Sequence, residues 1–331
     1  MHGKQKLDLG ECPPYSLLWG MPDQKKIRIL FLGTPEFAAA CLQKLIAQNA
    51  LVVAVITAPD KPAGRGLQLH KSAVKMVAEE AGIPVLQPEK LKNPEFIEEL
   101  RLYKADLGIV VAFRMLPEIV WRMPPMGTFN LHASLLPAYR GAAPINWAII
   151  KGEKQTGITT FFLQHEIDTG DLLLQETVDI LENENVGSLY QRLMENGANL
   201  IWKTVEGICA GSLVPFPQDE SKVSQAPKLF KDTCLLNFTK TAFELHNQVR
   251  GLSPVPGAYF LREGKVMKIL STLLEEIPCT PFESGILRIL RPGVLGISTA
   301  DFWLNIEELQ PEGKRKMTAK EFLAGHPIEK L

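Results

Sequence analysis

Apolar and polar positions along this chain fall into two textures. Up to about residue 211, short apolar runs alternate with amphipathic stretches. "KIRILFLGT" (26–34) and "ALVVAVITAP" (50–59) read as buried strands, and "ADLGIVVAF" (105–113) and "GTFNLHAS" (127–134) follow them. Helical patterns stand between them, one running to about residue 49, one in "VKMVAEEAGI" and one around 95–102. Strands alternating with helices at this pace predict an α/β fold with a doubly wound, Rossmann-like parallel sheet. "GITTFFLQHEI" and "DLLLQETVDI" continue the sheet, and "VGSLYQRLMENGANLIWKTVEGICAG" predicts a long closing helix. After this the period is lost. "SLVPFPQDESKVSQAPKLF" is rich in Pro, Ser and charge and reads as a linker. Beyond it lie one helical segment, "TKTAFELHNQVRGL", and several short alternating runs with Gly and Pro turns. These predict a smaller C-terminal β-barrel, OB-like in class. The expected divisions are 1–24 (a disordered extension or a mis-called start), 25–212, a linker over 213–228, and 229–331.

Composition narrows the setting. At 331 residues, 46% hydrophobic and 22% charged, the chain has the make-up of a soluble protein with two domains. A net charge of −1 gives no global basic excess, though a basic stripe can sit on a neutral protein. Five scattered cysteines without a CxxC pair suit a reducing compartment, so a cytoplasmic location is expected. No run is long and apolar enough for a membrane span, and the first two dozen residues do not look like a signal peptide. "FLGTPEF" lacks GxGxxG, which argues against a dinucleotide site. "HEID" is not HExxH and has no third ligand at metal spacing, so no metal is expected.

The candidate chemistry lies in "FNLHASLLPAYRGAAPINW" and "HEIDTGD". Asn130 and His132, two apart on a strand, face the same side near its C-terminal end, where open α/β sheets bind ligands. An imidazole moves protons near neutral pH, an amide NH₂ can donate to a developing oxyanion, and Asp168 can stabilise the charged imidazole. Taken singly, each also has an ordinary structural reading: a hydrogen-bonded strand histidine, a strand-end asparagine, a turn aspartate. His165, three residues before Asp168, competes for the base role. Spacing alone indicates an acid/base site without naming its substrate.

The stretches "NLHASLLPAYRGAAPINWAI" and "TGITTFFLQHEIDTGDLLLQE" resemble the signature of the folate-dependent formyltransferases. The resemblance implies an Asn–His–Asp site at Asn130, His132 and Asp168, with N10-formyltetrahydrofolate as formyl donor and a primary amine as acceptor. It also implies a folate pocket lined by Ser134, Leu135, Leu136 and Pro137 and by Val110, Val111, Ala112 and Phe113. "ITAPDKPAGRGLQLHKSAVK" is similar to a loop inserted in the methionyl-tRNA formyltransferases, whose arginine approaches the acceptor end of the initiator tRNA and maps to Arg65. A Gly-Arg-Gly tip flanked by Lys61, Lys71 and Lys75 suits a phosphate-rich partner. "PQDESKVSQAPKL", "ELHNQVRGLSPVPGAYF" and "LQPEGKRKMTAKEFLAG" resemble the second domain of the same enzymes, so Lys314, Arg315 and Lys316 are candidate tRNA contacts. Two departures stand out: "RML" after "VVAF", where many relatives carry a smaller Tyr-Gly pair, and the less acidic, less regular "KDTCLLNFTKTA". The implied function is formylation of initiator methionyl-tRNA by a cytoplasmic monomer. Formylation of a small amine, hydrolysis of the donor and a silent tRNA-binding protein remain the alternatives.

Overall fold

A computed structural model describes residues 27–63, 68–279 and 284–329. The extension expected over 1–24 and Arg65 lie outside them. The first domain begins with β1 (Arg28–Gly33), α1 (Glu36–Ala47), β2 (Leu51–Ile56) and a small hairpin, β3 (Lys61–Ala63) with β4 (Gln68–His70). It continues with α2 (Ala73–Glu80), β5 (Val85–Leu86), α3 (Pro94–Leu102), β6 (Leu107–Val111), α4 (Glu118–Trp121) and β7 (Thr128–His132). Then come α5 (Pro144–Ile150), β8 (Gln155–Phe162), β9 (Leu172–Asp179) and the long α6 (Val186–Cys209).

Apart from β3 and β4, these strands form one seven-stranded sheet in the order β5-β2-β1-β6-β7-β8-β9. From β5 to β7 all neighbours are parallel, while β8 and β9 run antiparallel. The parallel part is thus the expected Rossmann-like half, and the two later strands extend its edge as a hairpin. Its two faces carry separate cores. Phe31, Ile109, Val111, Phe129 and Leu131 pack with α1 and α6 on one side, and Leu30, Leu32, Val110 and Phe96 pack with α3 on the other. The strand β6 is buried at every position, as a strand covered on both faces must be. The order in which strands join the sheet reverses between β1 and β6, which opens a crevice at the strands' C-terminal ends.

The second domain holds α7 (Lys231–Cys234), α8 (Ala242–Leu252), β10 (Ala258–Arg262), β11 (Lys265–Pro278), β12 (Leu287–Arg291), β13 (Val294–Ser298), β14 (Phe302–Pro311), β15 (Met317–Thr318) and α9 (Ala319–Gly325). Its strands form a six-stranded antiparallel sheet, with register shifts along the long β11 that bend it around α8. A capping box between Thr241 and Glu244 starts α8. That helix lies across α5 of the first domain. Asn146 Nδ2 donates to Gly251 O at 2.7 Å, and a Cβ on Gly251 would lie 2.5 Å from Ile150 Cγ1, so glycine permits this close crossing. Residues 213–228 are packed against the first domain, with Phe216 bridged to Leu172 and Gln225 to Arg140.

Candidate active site

The strand β7 delivers the pair. Phe129 and Leu131 point into the main core, so by alternation Asn130 and His132 share the other face. His132 is held first by the backbone. Its Nε2 lies 2.9 Å from the carbonyl of Tyr139. A carbonyl can only accept, so in the neutral ring Nε2 carries the hydrogen and Nδ1 the lone pair. That Nδ1 faces Asp168 Oδ2 at 3.8 Å, beyond direct hydrogen-bond range. Asp168 Oδ2 instead accepts from the backbone N–H of Gly141 at 2.8 Å. A proton arriving at Nδ1 would therefore meet a nearby carboxylate, while the ring keeps its orientation through Tyr139. The resemblance implies that Asp168 holds the imidazole; here the Tyr139 carbonyl orients it and Asp168 supplies charge.

Two residues are held in unusual backbone to make this possible. Tyr139 has φ 62° and Asp168 φ 58°, in the left-handed region that costs a non-glycine residue on the order of 1 kcal/mol or more. Both His132 and Asp168 are nearly buried, with side chains 7% and 10% exposed, so their interaction is poorly screened. Asn130 Oδ1 is buried without a hydrogen-bond partner. A buried acceptor left unpaired beside an imidazole and a carboxylate is a place where a bound donor would be satisfied.

The loop after β7 is braced from below. Thr159 Oγ1 donates to Ser134 O at 2.6 Å and accepts from Leu136 N at 3.2 Å, while Gln175 Nε2 donates to Leu136 O at 2.8 Å. Ser134 Oγ donates to Ala138 O at 2.6 Å, so the hydroxyl holds the loop rather than facing the crevice. Leu136 packs on Phe161 and Leu172, Leu135 lies over Gly157, and Pro137 is buried. On the neighbouring strand Val110 is in register with Asn130 and on its face, whereas Val111 pairs with Leu131 and packs in the main core on the opposite face. Ala112 turns the chain with φ 46°. Phe113 packs against the second core, with the Arg114 guanidinium 5.7 Å from its ring centre. Arg114, where the sequence departs from its relatives, donates to the carbonyls of Glu89 and Pro88. A cavity of about 620 Å³ opens there, lined by Gln87, Pro88, Glu89 and Phe96.

The basic candidates divide. Lys61 is exposed on β3. Lys75 Nζ donates to Asp60 at 2.6 Å and to Gln87 Oε1 at 2.7 Å, and Lys71 pairs with Glu79 at 2.7 Å. Lys75, and then Gln87, hold the Asp60 carboxyl below the usual range. Those two lysines thus fasten the root of the loop instead of extending its charge. In the second domain Lys314 is exposed, while Arg315 pairs with Glu321 and Lys316 with Glu308, each at 2.9 Å. His165 is exposed, 3.2 Å from Glu118 and edge-on to Trp121, and the structure does not bring it to His132. Among the described residues no group of three or more His, Cys, Asp or Glu could hold a metal ion, and no helix is long and apolar enough to cross a membrane.

Residues 25–205 match a family model described as formyl transferase, and residues 228–327 match one described as formyl transferase, C-terminal domain. A methionyl-tRNA formyltransferase of Bacteroides fragilis is 45% identical over 310 residues, covering 91% of this chain and 96% of the relative. One from Desulfotalea psychrophila is 41% identical, covering 92% and 95%. Among solved structures, an N-formyltransferase of Helicobacter canadensis in complex with folinic acid and dTDP-3-aminofucose superposes with a TM-score of 0.65 at 20% identity, covering 88% of this chain and all of that one. HypX of Aquifex aeolicus in complex with tetrahydrofolic acid gives 0.61 at 20%, covering 92% of this chain and 48% of its own. The two structures share the fold; the sequence relatives share nearly the whole length as well. This chain belongs to the formyl transferase family, alongside its methionyl-tRNA formyltransferases.

Proposed function

We propose that this protein is a methionyl-tRNA formyltransferase, moving the formyl group of N10-formyltetrahydrofolate to the α-amino group of methionine on initiator tRNA. The observation that carries the site reading is the unpaired, buried Asn130 Oδ1 beside the His132–Asp168 pair. The donor supplies a formyl carbon bound to a nitrogen that can leave. The unpaired Oδ1 of Asn130 can accept from an N–H of the attacking amine, and its Nδ2 donates to the carbonyl oxygen as negative charge grows there, an effect worth about 10²–10³ in rate. His132 takes the attacking amine's proton at Nδ1 and returns it to the departing nitrogen, while Asp168 stabilises the charged ring. Val110, Ala112, Phe113, Leu135, Leu136 and Pro137 form the folate side of the crevice. Val111 and Ser134 support that wall from behind. The segment of sequence that includes Lys61 and Arg65 approaches the acceptor end of the tRNA, and Lys314, Arg315 and Lys316 meet its backbone. Exposed ion pairs such as Arg315–Glu321 are weakened by solvent and salt, so phosphates can replace the carboxylates.

In this reading residues 25–212 carry the chemistry, 229–331 form the tRNA platform, and 213–228 join them. All the named residues lie in one chain, so a monomer suffices. The free cysteines Cys41, Cys209, Cys234 and Cys279 suit a reducing cytoplasm. The test is formylation by purified protein of methionine-charged initiator tRNA, run beside uncharged tRNA, free methionine and an amino sugar. Product on the charged tRNA alone is expected. Release of tetrahydrofolate without formylated tRNA would retain the site and overturn the acceptor.

A further inference from the structure

The segment joining the domains reaches into the site. Its Gln218 side chain is half-buried and lies between Arg140, in the loop after β7, and the loop that carries Asp168. Gln218 Nε2 donates to the carbonyls of Asp168 and Gly170, both at 2.8 Å. Its Oε1 accepts from Arg140 Nε at 3.1 Å and Nη2 at 2.8 Å. The buried Arg140 guanidinium also donates to both oxygens of Glu220, at 2.7 and 3.2 Å. Arg140 is followed directly by Gly141, whose N–H holds the Asp168 carboxylate. The contacts therefore close a ring: Asp168 main chain, Gln218, Arg140, Gly141 and the Asp168 side chain.

We propose that Gln218 is a positioning residue for the formyl transfer, fixing the Asp168 carboxylate opposite His132 Nδ1 from a segment outside the α/β sheet. This rests on the reading of His132 and Asp168 given above. A carboxamide suits the place because it is the side-chain group of that length with a donor on one atom and an acceptor on the other. The carbonyls of residues 168 and 170 need a donor, and Arg140 needs an acceptor. The adjoining chain is fastened in the same manner. Tyr139 N donates to Ser224 Oγ at 2.9 Å, Arg140 N to Ser224 O at 2.9 Å, and Ala226 N to Arg140 O at 2.7 Å. Tyr139 is the residue whose carbonyl orients the imidazole, so both partners of His132 are set by this segment.

Gln218→Glu keeps the size and the acceptor for Arg140 but sets an oxygen against two carbonyls. Gln218→Met keeps the length and removes both polar atoms. Full-length protein carrying either change is expected to lose about 10- to 100-fold in kcat, as a displacement of about 1 Å does in a tuned site, with KM for donor and tRNA within about threefold. Each change is then combined with Asp168→Asn. If Gln218 works through Asp168, the second loss largely vanishes in the Asp168→Asn background. Full additivity there would overturn the proposal, as would a wild-type kcat in both single variants, or a kcat loss matched by equal rises in KM. A chain that no longer folds with either change would also overturn it, since the side chain would then be holding the fold. If Asp168→Asn alone kept full activity, the underlying site reading would fail instead.

Discussion

Each domain buries one histidine, and the two have opposite neighbours. His132, 6% exposed, faces the Asp168 carboxylate and donates to a carbonyl. His246 on α8, 3% exposed, meets the hydroxyl of Thr272 at 2.9 Å and lies near the Arg250 guanidinium. Burial, and after it the Arg250 charge, pushes the His246 ring down to about 4. Burial is therefore common to both and explains neither role. At His132 a carboxylate stands opposite the ring's lone pair, while at His246 burial and a nearby cation keep the ring neutral. The first arrangement leaves an unsatisfied atom, Asn130 Oδ1, close by; the second is a packing element between α8 and β11.

The sharpest way to break this comparison is to remove the site ring. His132→Ala is expected to cut kcat by about 10²–10⁴ with the fold retained, measured by formylation rate and circular dichroism. Turnover near that of the parent protein would remove the acid/base assignment. Asn130→Ala should cost about 10²–10³ in kcat with donor binding little changed, checked by single-turnover rates and folate titration. The other histidine should matter for stability instead. The unfolded chain, with its histidine at the usual 6.5, takes a proton that the folded form refuses until pH nears 4. Stability should therefore fall as pH drops from 6.5 toward 4, by about 3 kcal/mol in total. In urea unfolding at pH 7.5 and 5, His246→Gln should lessen this fall while leaving kcat intact, and an unchanged pH dependence would contradict the assignment. The smallest effect concerns the surface. Replacing Lys314, Arg315 and Lys316 together by Ala should flatten the dependence of log affinity for tRNA on log salt by roughly one to two units.

Much of this was legible in the chain. The buried runs of β1, β6 and β7 fixed a parallel sheet, and the two-residue spacing of Asn130 and His132 put them on one face. What was not legible depends on contacts far apart in sequence. Nothing in "AYRGAA" announces that the Tyr139 carbonyl orients the imidazole, because a backbone oxygen has no residue signature. Gln218 sits in a stretch whose composition reads as linker, and its partners lie some fifty and eighty residues away. The basic loop looked freely charged because Asp60 and Glu79, which pair with Lys75 and Lys71, carry no mark of pairing in the sequence. Val111 looked like site wall for a related reason. An all-apolar strand does not reveal which of its faces meets the crevice.

The outer strands of the main sheet bear on how copies of this protein meet. An open edge offers unpaired backbone groups to any neighbouring strand, and long flat edges invite aggregation. Here one edge, β5, is two residues long. The other, β9, begins with the buried Leu172 and Leu173, exposes Gln175, Thr177 and Asp179, carries the Glu176–Lys203 ion pair, and has Leu172 bridged by Phe216. A second copy would meet a two-residue strand on one edge and, on the other, a strand whose exposed side chains are all polar or charged. The shortness of β5 and the polar positions of β9 thus work against strand exchange between copies.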